Sequence, residues 1–355
     1  MDIEITTLKK LITYRHIEST KKHQKVDEKK MNIMKEYDFF CKNDIKINKI
    51  IQKIENHNFF FITIFDIEEI KLHDIYQNFD TNIVISDKIN KYVLIKYNVE
   101  ERSYSYFIHF FKSLPNPKLF IYHLVDSYIH ILNGLSLLKD NNICLFDLTN
   151  KNIIFDNTLK PKFINYESAL HKDTIKSDFI EILKKCDNYT LKPIEVHLLF
   201  YIYNNDIEYV SSSFILDIID NFINKMQFFD LFSSKYRQQY KEESIKYYNN
   251  FVNKPKEYIY DEIMRFKYTW SNYSLSIIYL HIIGNTIKTL NIKNTIINKM
   301  LLILNKNINP NPNKRENIEE TIEKFNILFG EYNNWDFIKN LTIYEKQYIH
   351  LINKL

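Results

Sequence analysis

Asp147 and Asn152 stand five residues apart in the run Leu145-Phe146-Asp147-Leu148-Thr149-Asn150-Lys151-Asn152-Ile153-Ile154-Phe155. Phosphoryl transfer asks for such a pair: an aspartate that orients the acceptor hydroxyl, and an asparagine a few residues on that binds magnesium beside a triphosphate. The competing reading is chance, because a D-x-x-x-x-N spacing recurs in so asparagine-rich a chain. His123, Asp126 and His130 form a second group, at i, i+3 and i+7 of one helix face, where a transition metal could be held. Three ligands on one helix rarely converge, so this face reads as a polar stripe. No HExxH, GxSxG or P-loop sequence occurs, which leaves zinc peptidase, α/β-hydrolase and P-loop chemistry without support.

The elements that must position Asp147 and Asn152 can be read from periodicity. Leu119, Tyr122, Leu124, Val125, Tyr128, Ile129, Leu132, Leu135 and Leu138 keep helical spacing after Pro115 and Pro117, which predicts a long helix directly before the loop. Short strands are expected at Ile143 to Phe146, Asn152 to Phe155 and Phe163-Ile164, around a turn at Asn157 to Pro161. Upstream, Phe59 to Ile64 and Tyr92 to Ile95 read as strands. Ile47, Ile50, Ile51 and Ile54 lay an apolar stripe along a helix over Ile45 to Ile54. From Pro193 onward helical periods dominate, as in Leu275 to Ile283 and Ile296 to Leu304.

The order of these motifs resembles the eukaryotic-type protein kinase family. The helix Leu119 to Leu138 looks like the one that precedes the family's catalytic loop, and Ile164-Asn165-Tyr166-Glu167 falls where the family has D-F-G. Lys192-Pro193-Ile194-Glu195 resembles A-P-E, and Ser271 to Leu280 is similar to the central helix that opens D-x-W-S-x-G. Asn311-Pro312-Asn313-Lys314-Arg315 matches the late loop whose arginine pairs with the A-P-E glutamate. Asn32-Ile33-Met34-Lys35 resembles V-A-I-K, and Tyr92 to Asn98 looks like the strand and hinge beside the adenine pocket. The resemblance implies an α+β, bilobal fold: a small strand-rich N-lobe over residues 1–97 and a large helical C-lobe over 98–355, with a helical insertion at about 204–266. It also implies Asp147 as the orienting base, Lys35 at the phosphates, Asn152 and Asn165 at magnesium, ATP between the lobes, and a buried structural ion pair of Glu195 with Arg315.

Several chemical groups of that family are absent. The three glycines, Gly134, Gly284 and Gly330, all fall in the C-lobe, so no glycine-rich loop can cradle phosphates. Asn165 replaces the metal-gripping aspartate, Leu145 and Phe146 stand in place of His and Arg, and Thr149 replaces a phosphate-facing lysine. Ser271 replaces the aspartate that orders the loop. The helix face near Ile47 and Asn48 offers no glutamate for Lys35, and Glu55 two turns later is the remaining candidate. Phosphoryl transfer is catalysed by positioning and charge. The expectation is therefore a catalytically impaired, pseudokinase-like protein acting as a binding or structural component. The alternative is an active ATP-dependent serine/threonine kinase with a displaced metal ligand, Glu167. In the first case no cofactor is expected, and in the second ATP and magnesium.

Composition bounds the rest. The 355 residues carry 45% hydrophobic and 26% charged side chains, well outside the disordered regime. The 48 basic against 44 acidic residues leave a net charge of +4, too balanced to mark a nucleic-acid binder. The basic run Lys21, Lys22, Lys25, Lys29 and Lys30, broken by Asp27 and Glu28, reads as a solvated loop. Cys41, Cys144 and Cys186 are too few and too scattered for a disulfide framework or a zinc knuckle. No apolar run is long enough to span a bilayer, and Met1 to Lys10 lacks the apolar core of a signal peptide. An intracellular protein is expected. Five arginines, one alanine and abundant Asn, Ile, Lys and Tyr match an AT-rich genome. With the degenerate kinase pattern, this resembles kinase-like proteins of large AT-rich DNA viruses, some packaged in particles. That resemblance implies host cytoplasm or the virion as location and protein partners, virion proteins among them. Residues 204–266 carry a stripe of Phe214, Ile215, Ile218, Ile219, Phe222 and Ile223, read either as a docking surface or as helices packed on their own lobe.

Overall fold

The computed structural model describes residues 30–70, 91–100, 104–185, 191–290, 296–331 and 345–355. Cys186, Met1 to Lys10 and the basic run before Lys30 lie outside the described residues. The fold is α+β and mainly helical, with sheets of two or three strands. It divides into two compact units: the chain up to Ser105 together with Ile154–Glu167, and Tyr106–Ile153 together with Ser168–Leu355.

The first unit is built on a three-stranded antiparallel sheet. Strand β3 (Tyr92–Glu100) lies between β1 (Lys30–Glu36) and β2 (Ile64–Ile70), with Ile95 opposite both Ile33 and Ile67. The alternation of β3 sends Val93, Ile95 and Tyr97 into a core with Met31, Cys41, Ile62, Ile64, Ile154 and Ile164. Each fully buried Ile or Val contributes about 1.5–3 kcal/mol. Between β1 and β2 runs helix α1 (Phe39–Ile51), started by the Asp38 carboxylate, which accepts the Cys41 amide at 2.9 Å. Its inward face carries Cys41, Asp44, Ile47, Asn48 and Ile51. The predicted helix began at Ile45 and ended at Ile54; the Asp38 cap starts it six residues earlier.

The strand expected at Phe59 to Ile64 is displaced. Asn56, at φ 57°, turns the chain into a 3-10 turn over His57–Phe59, and the amides of Phe60 and Phe61 bond back to His57 O at 3.0 and 2.8 Å. Those amides are spent locally, so the ladder is limited to Ile62 N to Phe163 O and Phe163 N to Phe60 O, both 2.8 Å, before β2 begins at Ile64. The strand expected from Asn152 begins one residue later, at Ile153, because Asn152 closes a 3-10 turn over Asn150–Asn152.

In the second unit, α2 (Pro117–Asp140) starts where the sequence places a stop signal and a cap. The Asn116 side chain accepts the Leu119 amide at 2.9 Å, and Pro117 takes the first turn, where its missing N–H costs nothing. Phe120, Leu124, Val125, Tyr128, Ile131, Leu132, Leu135 and Leu138 are buried along it. The short strand Ile143–Leu145 follows and pairs antiparallel with Ala169–His171. Helix α3 (Ile194–Asn204) and the long helix α4 (Lys267–Leu290) carry the residues of interest below. Ser127 and Tyr279 hydroxyls meet at 2.7 Å between α2 and α4.

Residues 204–266 form helices over Ser212–Lys225, Ser234–Tyr248 and Lys256–Met264. Ile215, Ile218, Ile219 and Phe222 are buried in the second unit, and the Phe222 ring meets His197 of α3 edge-on at 5.0 Å. The apolar stripe is thus packed on its own unit. Gly284 lies inside α4, where a Cβ would come within 2.9 Å of the Leu231 side chain, so this glycine serves close helix packing. No described helix is long and apolar enough to cross a membrane. Cys41 and Cys144 are buried free thiols.

Candidate functional site

Both units hold clusters of charged and amide side chains. In the first unit, β1 carries Lys35 beside α1, and its ammonium group donates to Asp44 Oδ2 at 2.7 Å, Asn165 Oδ1 at 2.6 Å and Glu167 Oε2 at 3.4 Å. Three acceptors match the three donors of an ammonium ion. Asp44 is fully buried and every lone pair is used: Oδ1 accepts from the Tyr166 amide at 3.0 Å and Asn48 Nδ2 at 2.9 Å, and Oδ2 also accepts from the Tyr97 hydroxyl at 3.2 Å. Asn165 holds φ at 64°, a left-handed conformation that asparagine tolerates better than most residues. That turn aims its side chain at Lys35 while the next amide, of Tyr166, reaches Asp44. The Tyr166 hydroxyl is shared between the carbonyls of Phe163, at 2.7 Å, and Ile62, at 3.2 Å.

The electrostatics follow from this geometry. Burial acts most strongly on Lys35 and lowers its pKa, but the Asp44 and Glu167 carboxylates outweigh it, so the ammonium is held above its ordinary 10.5. Tyr97 is pushed well above 10 by burial and by the adjacent Asp44. Asp44 was not foreseen as the partner of Lys35. Glu55, the candidate from the sequence, is exposed and lies beyond the end of α1. A signal was present, because Asp44 is an acid on the buried face of an amphipathic helix, where a charge needs a partner.

In the second unit, the loop after Ile143–Leu145 carries Asp147, whose Oδ1 accepts from Lys192 Nζ at 2.5 Å. Lys192 also lies 5.5 Å from the centre of the Phe146 ring. Thr149 and Asn152 form a reciprocal cap: Asn152 Oδ1 accepts from the Thr149 hydroxyl at 2.8 Å and from the Thr149 amide at 3.0 Å. Leu145 and Phe146 are buried, the latter edge-on to Phe179 at 5.4 Å and to Trp270 at 5.5 Å. Ser271, on α4, still ties down this loop by donating to Leu145 O at 3.2 Å.

Glu195 and Arg315 are brought together in the same unit. Their side chains are both 0% exposed and pair through two parallel hydrogen bonds, Nη1 to Oε1 and Nη2 to Oε2, the second at 2.9 Å. Trp270 Nε1 donates to Glu195 Oε1 at 3.1 Å, and the Tyr248 hydroxyl donates to Oε2 at 2.8 Å. Arg315 spends its Nε on Asn309 O at 2.7 Å and lies 4.8 Å from the Tyr273 ring centre. Glu195 holds its guanidinium further above its already high pKa, outweighing burial, which acts most strongly and opposes it. Tyr248 ends the helix Ser234–Tyr248, so the helices of residues 204–266 help complete the shell of this pair.

His123 packs edge-on against Phe110, with centroids 5.2 Å apart. Among the described residues, no group of three or more His, Cys, Asp or Glu is gathered where it could hold a metal ion. No protein-family model matches this chain, and no curated protein matches its sequence.

Proposed function

We propose that the chain is a bilobal, protein-kinase-like protein that has lost phosphoryl transfer and acts by binding other proteins. One observation carries this reading: the side-chain oxygens that the kinase resemblance assigns to magnesium are spent on protein donors. Asn152 Oδ1 accepts two hydrogen bonds from Thr149, and Asn165 Oδ1 accepts the Lys35 ammonium. Magnesium favours anionic oxygen in a near-octahedral shell. Two neutral amides, one touching a cation, do not fit it. Lys35 has its three donors matched by protein acceptors, which leaves no share for a phosphate. The bracing contacts have fared differently, since the Lys35–Asp44 and Glu195–Arg315 pairs are both intact.

A protein partner in host cytoplasm or in a virus particle is the role that the AT-rich composition and the degenerate motifs favour. One observation favours a second reading, an active serine/threonine kinase: Glu167 places a partly exposed carboxylate two residues after Asn165, within 3.4 Å of Lys35. The full chain should show no thermal shift with ATP and magnesium and no transfer of radiolabelled phosphate to itself or to a generic protein acceptor. Transfer that disappears in both Asp147→Asn and Glu167→Gln would establish the second reading instead.

A further inference from the structure

We infer that Lys192 is a built-in counter-ion for Asp147, closing the carboxylate that a kinase would leave open to an acceptor hydroxyl. The inference rests on reading Asp147 as the carboxylate of a kinase-like loop, and it adds a residue and a reason for its silence.

Lys192 is not a surface lysine that has drifted onto a neighbour. Its side chain is 3% exposed, whereas that of Asp147 is 29% exposed. A buried ammonium without an anion is costly, so the carboxylate is what allows this lysine to be inside. The backbone around Lys192 is held from both sides. Ser274, on α4, donates to Leu191 O at 2.8 Å, His197 Nε2 lies 3.2 Å from Lys192 O, and Pro193, at φ −74°, caps the start of α3. The ammonium reaches Asp147 Oδ1 at 2.5 Å over the face of Phe146.

That ring matters. Phe146 stands where the resembled family has arginine, and Thr149 where it often has lysine, so neither of those two positions carries a cation. Lys192 brings a cation from another direction, pointing at the carboxylate from a buried anchor. An acceptor hydroxyl that needs Asp147 must compete with a charge-assisted bond already made. Asp147 therefore works as part of the packing of its unit. The consequence for stability is opposite to that of a free base, whose removal leaves nothing buried uncompensated.

The test is a thermal cycle on the full chain with Asp147→Asn, Lys192→Met and the double variant. Asp147→Asn should lower the unfolding midpoint by several degrees, and adding Lys192→Met should restore most of that loss. A second readout does not depend on stability: carbodiimide with glycine ethyl ester, followed by peptide mapping, should label Asp147 several-fold more in Lys192→Met than in the wild type. Lys192→Arg, which keeps the charge, should stay protected. An unchanged or raised midpoint in Asp147→Asn, or equal labelling in wild type and Lys192→Met, would overturn the inference. Neither measurement uses ATP, so phosphate transfer by the wild type would refute the proposed function while leaving the ion pair to be judged by these readouts.

Discussion

Replacing Glu195 by Gln keeps the shape of the side chain and removes its charge, which isolates what the anion does for Arg315. The guanidinium stays fully buried, with hydrogen bonds to Asn309 O and stacking on Tyr273, but without a counter-charge. Breaking one partner of such a pair costs about 3–5 kcal/mol, because the remaining charge is left in a medium that solvates it poorly. The amide also turns an N–H₂ toward one of two donors, Trp270 Nε1 or the Tyr248 hydroxyl, so the upper part of that range applies. For a unit of about 150–250 residues each kcal/mol moves the midpoint by about 2–4 °C, so about 4–5 kcal/mol gives a fall of roughly 8–20 °C. Lys314→Met is the internal control: it breaks the neighbouring Lys314–Glu243 pair, whose lysine is more than half exposed, and should cost at most about 1 kcal/mol. The assay is thermal unfolding followed by circular dichroism, with Glu195→Gln/Arg315→Met as the third variant. The double variant should recover only part of the loss, since the glutamine still turns its N–H₂ toward one of the two donors, Trp270 or Tyr248. A Glu195→Gln midpoint no lower than that of Lys314→Met would refute the reasoning.

Further outcomes follow from the buried ionisable groups. Lys35→Met leaves the Asp44 carboxylate without its ammonium partner and should cost about 3–5 kcal/mol, measured by urea unfolding, while Asp44→Asn/Lys35→Met should cost less than Lys35→Met alone. Alkaline conditions should destabilise the fold. The Lys35 pKa is raised, so its contribution is complete below 10.5 and fades as pH climbs through the higher folded value; Tyr97, Tyr166, Tyr240, Tyr248 and Tyr279, raised well above 10 mainly by burial, act in the same direction. Tyrosinate absorbance and helix loss should therefore rise together above about pH 10, and tyrosine titration that runs ahead of unfolding would contradict this. Burial pushes the Cys41 thiol up to about 11 and the Cys144 thiol up to about 12. At pH 8 both should resist iodoacetamide until the chain is unfolded, as peptide mapping would show.

The parts of the fold readable from sequence were those written in local patterns. Helix α2 declared itself through Asn116, Pro117 and five turns of apolar spacing, and β3 through its β-branched alternation. Phe59 to Ile64 misled because β propensity says nothing about whether the amides are already spent, and here Asn56 and His57 take them. The site was legible in residue types but hardly in partners. Glu195 and Arg315, 120 positions apart, could be connected only through the order of motifs. Asp44 is hard to read as a partner from sequence because it is shorter than the glutamate of the family pattern and sits one turn before Ile47, yet it reaches Lys35 from the buried side of α1. Lys192 opens the run Lys192-Pro193-Ile194-Glu195, yet nothing in a linear pattern says that its ammonium bends back 45 residues to Asp147.

The first unit is discontinuous in sequence, and this sets an order on its assembly during translation. When Ser105 has been polymerised, the core of that unit still lacks Ile154 and Ile164, and Lys35 lacks the oxygens of Asn165 and Glu167. At about 5–20 residues per second the ribosome needs roughly 3 to 12 s to deliver that stretch. Over that interval the nascent sheet exposes an apolar face, and a chaperone that engages the growing chain would meet it there first.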